Sequence, residues 1–407
     1  MKRIVVCMDG TWQSLNQDDL TNIGIISRSI AHKETRPDGS QVEQIVFYTL
    51  GVGSSLSALS DQSLLSNLQT SLNRTIGGAF GEGLEDLILD TYLRIAFNYE
   101  AGDEIYIFGF SRGAFAARRL SGFINAAGIV SRRHIHMARE GFRIYYSRPP
   151  RSAPEAKKQE YEARASEFRK VYGKGERNPD GTRRQTDEVT PITYLGVFDT
   201  VAQRGWAQVL AGFLPWTTSK ARRFQNYRVS PNVQWARHAV AIDENRIGFP
   251  ITLWDGIEED NARLGRKAYQ QRWFIGSHGD VGGGNQSMLS ALALKWIAEG
   301  ARDAGLRFYG TYGEDRSPLD QRLREAGLPW DANVSRPKLP RALSPMNYAW
   351  NARKIWTGNG RPSLEDAENT FDESVFQRAN AEALKYNPKP LRPYRRALED
   401  WARKNGN

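Results

Sequence analysis

The stretch Ile105-Tyr106-Ile107-Phe108-Gly109-Phe110-Ser111-Arg112-Gly113-Ala114-Phe115 constrains the fold more than any other part of this chain. An apolar run enters a Gly-x-Ser-x-Gly pentapeptide and leaves it into a segment of helical character. That is the order in which a strand turns sharply into a helix and holds a serine hydroxyl out at the turn. Side chains at Gly109 or Gly113 would collide where strand and helix cross, and the serine between them takes a strained backbone conformation. Such a turn needs a strand backed by helices. It commits this region to an α/β architecture and marks Ser111 as a candidate nucleophile.

Six short apolar runs read as buried strands: residues 4–8, 44–49, 104–109, 192–198, 238–242 and 272–277. Near-continuous apolarity is what a sheet covered on both faces requires. Helical spacing over 83–98 and 112–126 supplies the intervening layers, with Leu84, Leu87, Leu89, Tyr92, Leu93 and Ala96 recurring in the first. The alternation predicts a mostly parallel, doubly wound α/β sheet with helical insertions and a helical C-terminal extension, and the serine elbow makes it α/β-hydrolase-like. The expected division is a catalytic domain over 1–300, interrupted at about 137–187 and 204–228, and a helix-and-loop extension over 301–407 packed on the core. An apolar, serine-rich segment at 56–72 precedes the first long helix.

A serine hydroxyl needs a base, and histidine is the usual one near neutral pH. Of the five histidines, His32 follows an early helix-like segment, His134 and His136 lie in a basic stretch, and His238 begins a strand. His278 alone follows the last apolar strand, beside flexible glycines, where an α/β-hydrolase carries its histidine. The orienting acid should lie at a strand end between Ser111 and His278. Asp243 and Asp199 both qualify. The usual topology places the acid after the later strand and so favours Asp243, with Asp199 as the alternative; Asp280 is too near His278 in sequence to be preferred. Donors for an oxyanion are expected from the backbone N–H of Arg112 and from Gly10 or Thr11 after the first strand. This chemistry calls for no cofactor and no metal. A metal-assisted hydrolase would instead need Asp9, Asp199 and Asp280 to converge at the sheet's carboxyl end.

The segment 206–216 is apolar, and Trp206, Phe213, Leu214 and Trp216 are its candidate lid or substrate-cap residues. The net charge of +10 invites partners of opposite sign. The charge is spread widely, which argues against nucleic acid and leaves an anionic membrane surface as the better match. The single cysteine, Cys7, sits in an apolar strand and permits no intrachain disulfide. Lys2-Arg3 is followed by only five apolar residues before Asp9, too short for a signal-peptide core, and no run approaches the roughly eighteen residues of a membrane span. The chain is expected to be cytoplasmic as synthesised, with any export by a signal-independent route. A rival reading is a basic interaction or toxin-component protein that keeps the fold and binds an anionic membrane or a partner without catalysis.

Several segments together carry a resemblance: Met8-Asp9-Gly10-Thr11-Trp12, Gly77-Gly78-Ala79-Phe80-Gly81, Gly102-Asp103-Glu104, and Phe108 through Phe115. To these are added Val197-Phe198-Asp199-Thr200-Val201, Ala239-Val240-Ala241-Ile242-Asp243-Glu244, and His278 through Gly284. In this order, over residues 1 to about 290, they resemble the catalytic domain of type VI secretion lipase effectors. The resemblance implies a Ser–Asp–His hydrolase of phospholipid esters, with Ser111, Asp243 and His278 matching the catalytic motifs. It also implies a secretion-apparatus or immunity protein as partner. Acyl chain, head group and oligomeric state are not written in these motifs.

Overall fold

The computed structural model describes residues 1–10, 19–50, 80–175, 187–201, 227–246, 249–285, 287–309, 317–326, 332–334, 353–355 and 361–405. Seven strands form one sheet: β1 (Lys2–Met8), β2 (Lys33–Thr35), β3 (Gln41–Thr49), β4 (Glu104–Phe110), β5 (Ile192–Phe198), β6 (Val233–Ala241) and β7 (Tyr269–Phe274). Their order is β2-β3-β1-β4-β5-β6-β7, and every pairing is parallel except β2 with β3. The six expected strands are all present. The added one, β2, is three residues of Lys-Glu-Thr on the sheet edge, where no apolar run is needed to hold a strand.

Side chains alternate along each strand, and each face meets its own helical layer. Ile4, Val6 and Met8 of β1, with Ile105 and Ile107 of β4, join one apolar cluster. Against them pack α2 (Phe80–Asn98) and α3 (Arg112–Ala127), and α4 (Ala138–Tyr146) and α5 (Glu155–Tyr172) join the same cluster by packing on α3. In α5, Tyr161, Ala165 and Phe168 recur at helical spacing and are the buried side of an otherwise charged helix. Thus the described residues of 137–187 pack over α3 and thicken the helical layer on this face. Val5, Cys7, Tyr106 and Phe108 face the opposite way. There they meet α1 (Asn22–Ser29) and α8 (Ser290–Asp303), leaving β1 fully buried from Ile4 to Met8. Each such aliphatic side chain stabilises the fold by roughly 1.5–3 kcal/mol relative to exposure.

The C-terminal segments enter this second cluster. The helices α10 (Leu364–Thr370), α11 (Glu373–Asn380) and α12 (Arg395–Asn405) contribute Ala367, Val375, Phe376, Ala397 and Leu398 to the apolar group that holds Trp273 and Phe274. The N–H of Asp372 donates to the Trp273 carbonyl at 3.0 Å. Among the described residues, no helix is long and apolar enough to cross a membrane.

One topological fact positions the site. From β1 the chain runs out to β2 at the sheet edge and comes back as β3 beside β1, then crosses to β4 on the other side and continues through β5, β6 and β7. The connections leave β1 and β4 in opposite directions, so the carboxyl ends of those two strands form the topological switch point, the place where open α/β sheets bind ligands. Met8 is registered with Gly109, and Phe110 with Phe198. Asp9, Ser111 and Asp199 therefore each stand one residue past a registered strand end.

Candidate active site

Ser111 stands between β4 and α3 with φ +58° and ψ −120°, a backbone state that costs a side-chain-bearing residue about 1–3 kcal/mol. The two glycines permit it. A Cβ on Gly109 would lie 2.6 Å from the Ala114 Cα, and one on Gly113 would press into the carbonyl oxygens of Met8 and Asp9. The elbow helix thus crosses directly over the end of β1. The Ser111 N–H donates to the Phe198 carbonyl at 3.0 Å, and Val201 N–H donates back to the Ser111 carbonyl, which ties the turn to the end of β5.

His278 begins α7 (His278–Gly282), a five-residue helix whose start is fixed by a reciprocal Ser277–Asp280 capping box. The His278 Nε2 lies 2.8 Å from the Ser111 Oγ and its Nδ1 lies 2.6 Å from Asp199 Oδ2. With Asp199 ionised, Nδ1 carries the proton and Nε2 accepts from the serine hydroxyl. All three side chains are buried. The imidazole is flanked by the ring of Phe110 at 4.7 Å between centroids and by that of Phe249 at 5.0 Å. The Arg246 guanidinium covers Phe249, 3.8 Å from its ring centre, and pairs with Glu244. The Glu244 carboxylate in turn accepts the His278 backbone N–H at 3.2 Å.

The carboxylate beside His278 is Asp199, the alternative acid, rather than the favoured Asp243. The physical reason lies in register. Asp199 follows β5, the neighbour of the serine strand, and has a left-handed φ of +38°. Its Oδ1 accepts the Ala241 N–H at 2.9 Å. Asp243 instead continues the β6–β7 ladder past the strand ends. Its N–H donates to the Gly276 carbonyl, and its Oδ2 accepts the Gly276 N–H at 2.7 Å and the Tyr386 hydroxyl at 2.7 Å. Burial raises the Asp243 carboxyl despite those two donors. Asp199 moves the other way. Burial would raise it, but the Arg353 guanidinium and the His278 hydrogen bond outweigh burial and hold it well below the usual carboxylate range.

Arg353 lies beyond the last strand and carries no motif. Its Nη1 donates to Asp199 Oδ1 at 2.6 Å and its Nη2 to Asp199 Oδ2 at 2.9 Å. The same guanidinium donates to the carbonyls of Ala241 and Phe249. His238 also supports the acid from behind. Its Nε2 accepts the Thr200 N–H at 3.2 Å and its Nδ1 meets the Gln271 side-chain oxygen at 2.9 Å. Burial first, and then the Arg118 charge, lower the His238 pKa to about 3, so it is neutral and fixes the Asp199–Thr200 turn. No local motif announces either residue; only the three-dimensional path of the chain brings them here.

Gly10 lies against Ser111, since a Cβ built there would be 3.5 Å from the Ser111 Cβ. Its N–H, expected to face an oxyanion, donates to the side chain of its neighbour Asp9 at 2.6 Å. Asp9 also accepts the hydroxyls of Thr21 and Tyr48. Burial raises its carboxyl against those three donors. Arg112 opens α3 directly after Ser111, and burial lowers its side-chain pKa to about 10. Thr11 and the cap candidates Trp206, Phe213, Leu214 and Trp216 lie outside the described residues, as do most of 204–228 and all of 56–72. Asp280 is engaged with Ser277. Among the described residues, no three His, Cys, Asp or Glu side chains gather closely enough to hold a metal.

The remaining histidines stand apart from this arrangement: the His32 ring meets Tyr309, while His134 and His136 lie on a 3-10 turn at Arg132–Met137. A serine hydroxyl aimed at one imidazole nitrogen, whose other nitrogen is bound by an ionised carboxylate, is equipped for proton removal and return during acyl transfer.

Residues 2–300 match the family described as "T6SS, Phospholipase effector Tle1-like, catalytic domain". Among curated proteins, the chain is 30% identical over 249 residues to the uncharacterized protein YEL023C of Saccharomyces cerevisiae, covering 60% of this chain and 31% of the yeast protein. A solved structure of an uncharacterized protein from Pseudomonas aeruginosa is similar at 18% identity and TM-score 0.39, over 79% of this chain and 48% of that one. A second, the Tle1 effector bound to the VgrG spike of the type 6 secretion system, is similar at 16% identity and TM-score 0.33, over 71% and 52%. The chain spans less than two thirds of each of these relatives.

Proposed function

Since the chain belongs to the family of Tle1-like type VI secretion phospholipase effector catalytic domains, we propose that it is a serine ester hydrolase acting on phospholipids. The observation that carries this reading is the continuous hydrogen-bonded line from Ser111 Oγ through His278 to Asp199, built at the sheet's switch point.

In this mechanism Ser111 Oγ attacks the acyl carbonyl while His278 Nε2 takes its proton. The imidazolium is held by Asp199, and the tetrahedral oxyanion is met by the Arg112 backbone N–H and a second donor from the Gly10–Thr11 turn. Collapse of this intermediate breaks the ester bond, and His278 returns the proton to the departing alkoxide. Water, deprotonated by the same histidine, then attacks the acyl-serine and frees the fatty acid. General base catalysis by such a histidine contributes about 10²–10⁴-fold. With Gly10 N–H turned to Asp9 here, the second oxyanion donor is Thr11 or a Gly10 released by rotation of the Asp9 carboxyl. The family's description points to the type VI secretion apparatus as the partner class.

The test compares wild type with Ser111→Ala on p-nitrophenyl butyrate and on phosphatidylcholine and phosphatidylglycerol vesicles. Wild type is expected to release fatty acid, and the variant to lose at least about 10³-fold in rate with its fold intact. Equal turnover by the two proteins refutes the mechanism. Absent turnover in wild type, together with salt-sensitive binding to the anionic vesicles, moves the reading to a non-catalytic binding protein.

A further inference from the structure

Asp199 has its acceptor positions filled: Ala241 N–H and Arg353 Nη1 at Oδ1, and His278 Nδ1 and Arg353 Nη2 at Oδ2. Arg353 is itself buried and anchored by two main-chain carbonyls, one at the end of β6 and the other at Phe249, the residue whose ring flanks His278. The guanidinium fork matches both carboxylate oxygens in the bidentate geometry that most restricts a carboxylate's rotation. It comes from residue 353, beyond the 2–300 span that matches the family.

We propose that Arg353 is a positioning residue, which clamps the Asp199 carboxylate and sets the pH range in which His278 acts as base. The proposal rests on the serine-hydrolase reading of Ser111, His278 and Asp199. The charged groups around the imidazole are Asp199 at Nδ1 and Arg353 behind it. Glu244 lies at the His278 backbone N–H with Arg246 paired to it, and Asp280 lies two residues along on the same short helix. Both carboxylates nearest the histidine are therefore matched by an arginine. An imidazolium forming here meets neutralised pairs rather than bare anions. Without Arg353, Asp199 would act on His278 with its full charge, the imidazolium would be favoured, and the ring would bind its proton more tightly. The active form is the neutral ring, so the acid limb of kcat/KM would move to higher pH. A charge at this range shifts a titration by about 1–3 units.

The experiment uses the full chain as Arg353→Gln and Arg353→Lys. It follows p-nitrophenyl butyrate hydrolysis and fluorophosphonate labelling of Ser111 across pH, with thermal melting to confirm folding. Arg353→Gln is expected to move the acid-limb midpoint up by about one unit and to lower kcat more than it raises KM. Arg353→Lys keeps the charge but not the fork; its midpoint should stay near that of wild type while the rate falls about tenfold. A folded Arg353→Gln with an unmoved midpoint overturns the proposal, whether or not its rate is reduced. Should Arg353→Gln fail to fold, Arg353→Lys decides: the tenfold loss with a retained midpoint supports the proposal, and wild-type rate overturns it. Wild type that neither hydrolyses the ester nor labels is a separate failure, that of the hydrolase reading itself.

Discussion

Replacing each candidate acid by its amide separates the two aspartates sharply. In Asp199→Asn the oxygen facing His278 Nδ1 becomes an amide group, and the imidazole loses both its orienting anion and the preference for the tautomer that leaves Nε2 free to accept. Disturbing a serine hydrolase in this way lowers kcat by up to about 10⁴-fold, or roughly 5.4 kcal/mol of barrier at 1.36 kcal/mol per decade. The same change removes the anion from Arg353, whose two bonds to Asp199 are 2.6 and 2.9 Å long and which is buried. Stranding a buried charge costs about 3–5 kcal/mol, so the melting temperature should also fall by several degrees. Asp243→Asn is milder. The amide oxygen can still accept from the Gly276 N–H and the Tyr386 hydroxyl, the two donors now on one carboxylate oxygen. Its kcat should stay within about threefold of wild type. The assay is p-nitrophenyl butyrate turnover with a melting curve for each variant. A loss of 10³-fold or more in Asp243→Asn, alongside near-normal turnover in Asp199→Asn, would refute the reasoning from register.

Two further predictions concern the fold that holds the site. Gly113→Ala drives a methyl group into the carbonyls at the end of β1, so it should destabilise the protein by about 3 kcal/mol or more, read by chemical denaturation, and impair expression. Burial raises the folded-state Asp243 carboxyl above its unfolded value, so its contribution to stability is greatest at low pH and is lost as pH rises through the folded value. Asp243→Asn should accordingly gain melting temperature relative to wild type near pH 8, and that advantage should shrink below about pH 4. The sign is opposite for Asp199, whose carboxyl is depressed. Its stabilising pair with Arg353 is present above the unfolded value and is lost only as pH falls through the lower folded one. A pH-independent difference between Asp243→Asn and wild type would contradict the first of these signs.

The chain itself carried every local decision. Apolar runs such as Ile4–Met8 announced strands covered on both sides, because burying both faces leaves no polar alternation. Gly109 and Gly113 announced the elbow, because steric exclusion at a strand–helix crossing acts within five residues. The placement of His278 after the last strand followed from chain order alone. The choice of acid did not, because Asp199 and Asp243 both end apolar strands and differ only in what stands beside them. Register across β4, β5 and β6 put Asp199 next to Ser111, while Asp243 was drawn into the β6–β7 ladder by Gly276 and Tyr386. The same holds for Arg353 and His238, which act on Asp199 from 154 and 39 positions away along the chain. A hydrogen bond depends on distances of about 3 Å and on angle, and no spacing in the sequence encodes those when the partners meet only after the sheet has closed. Local sterics and periodicity thus placed the elbow serine and the histidine beside it, and the packing of remote segments decided which carboxylate stands next to that histidine and what holds it.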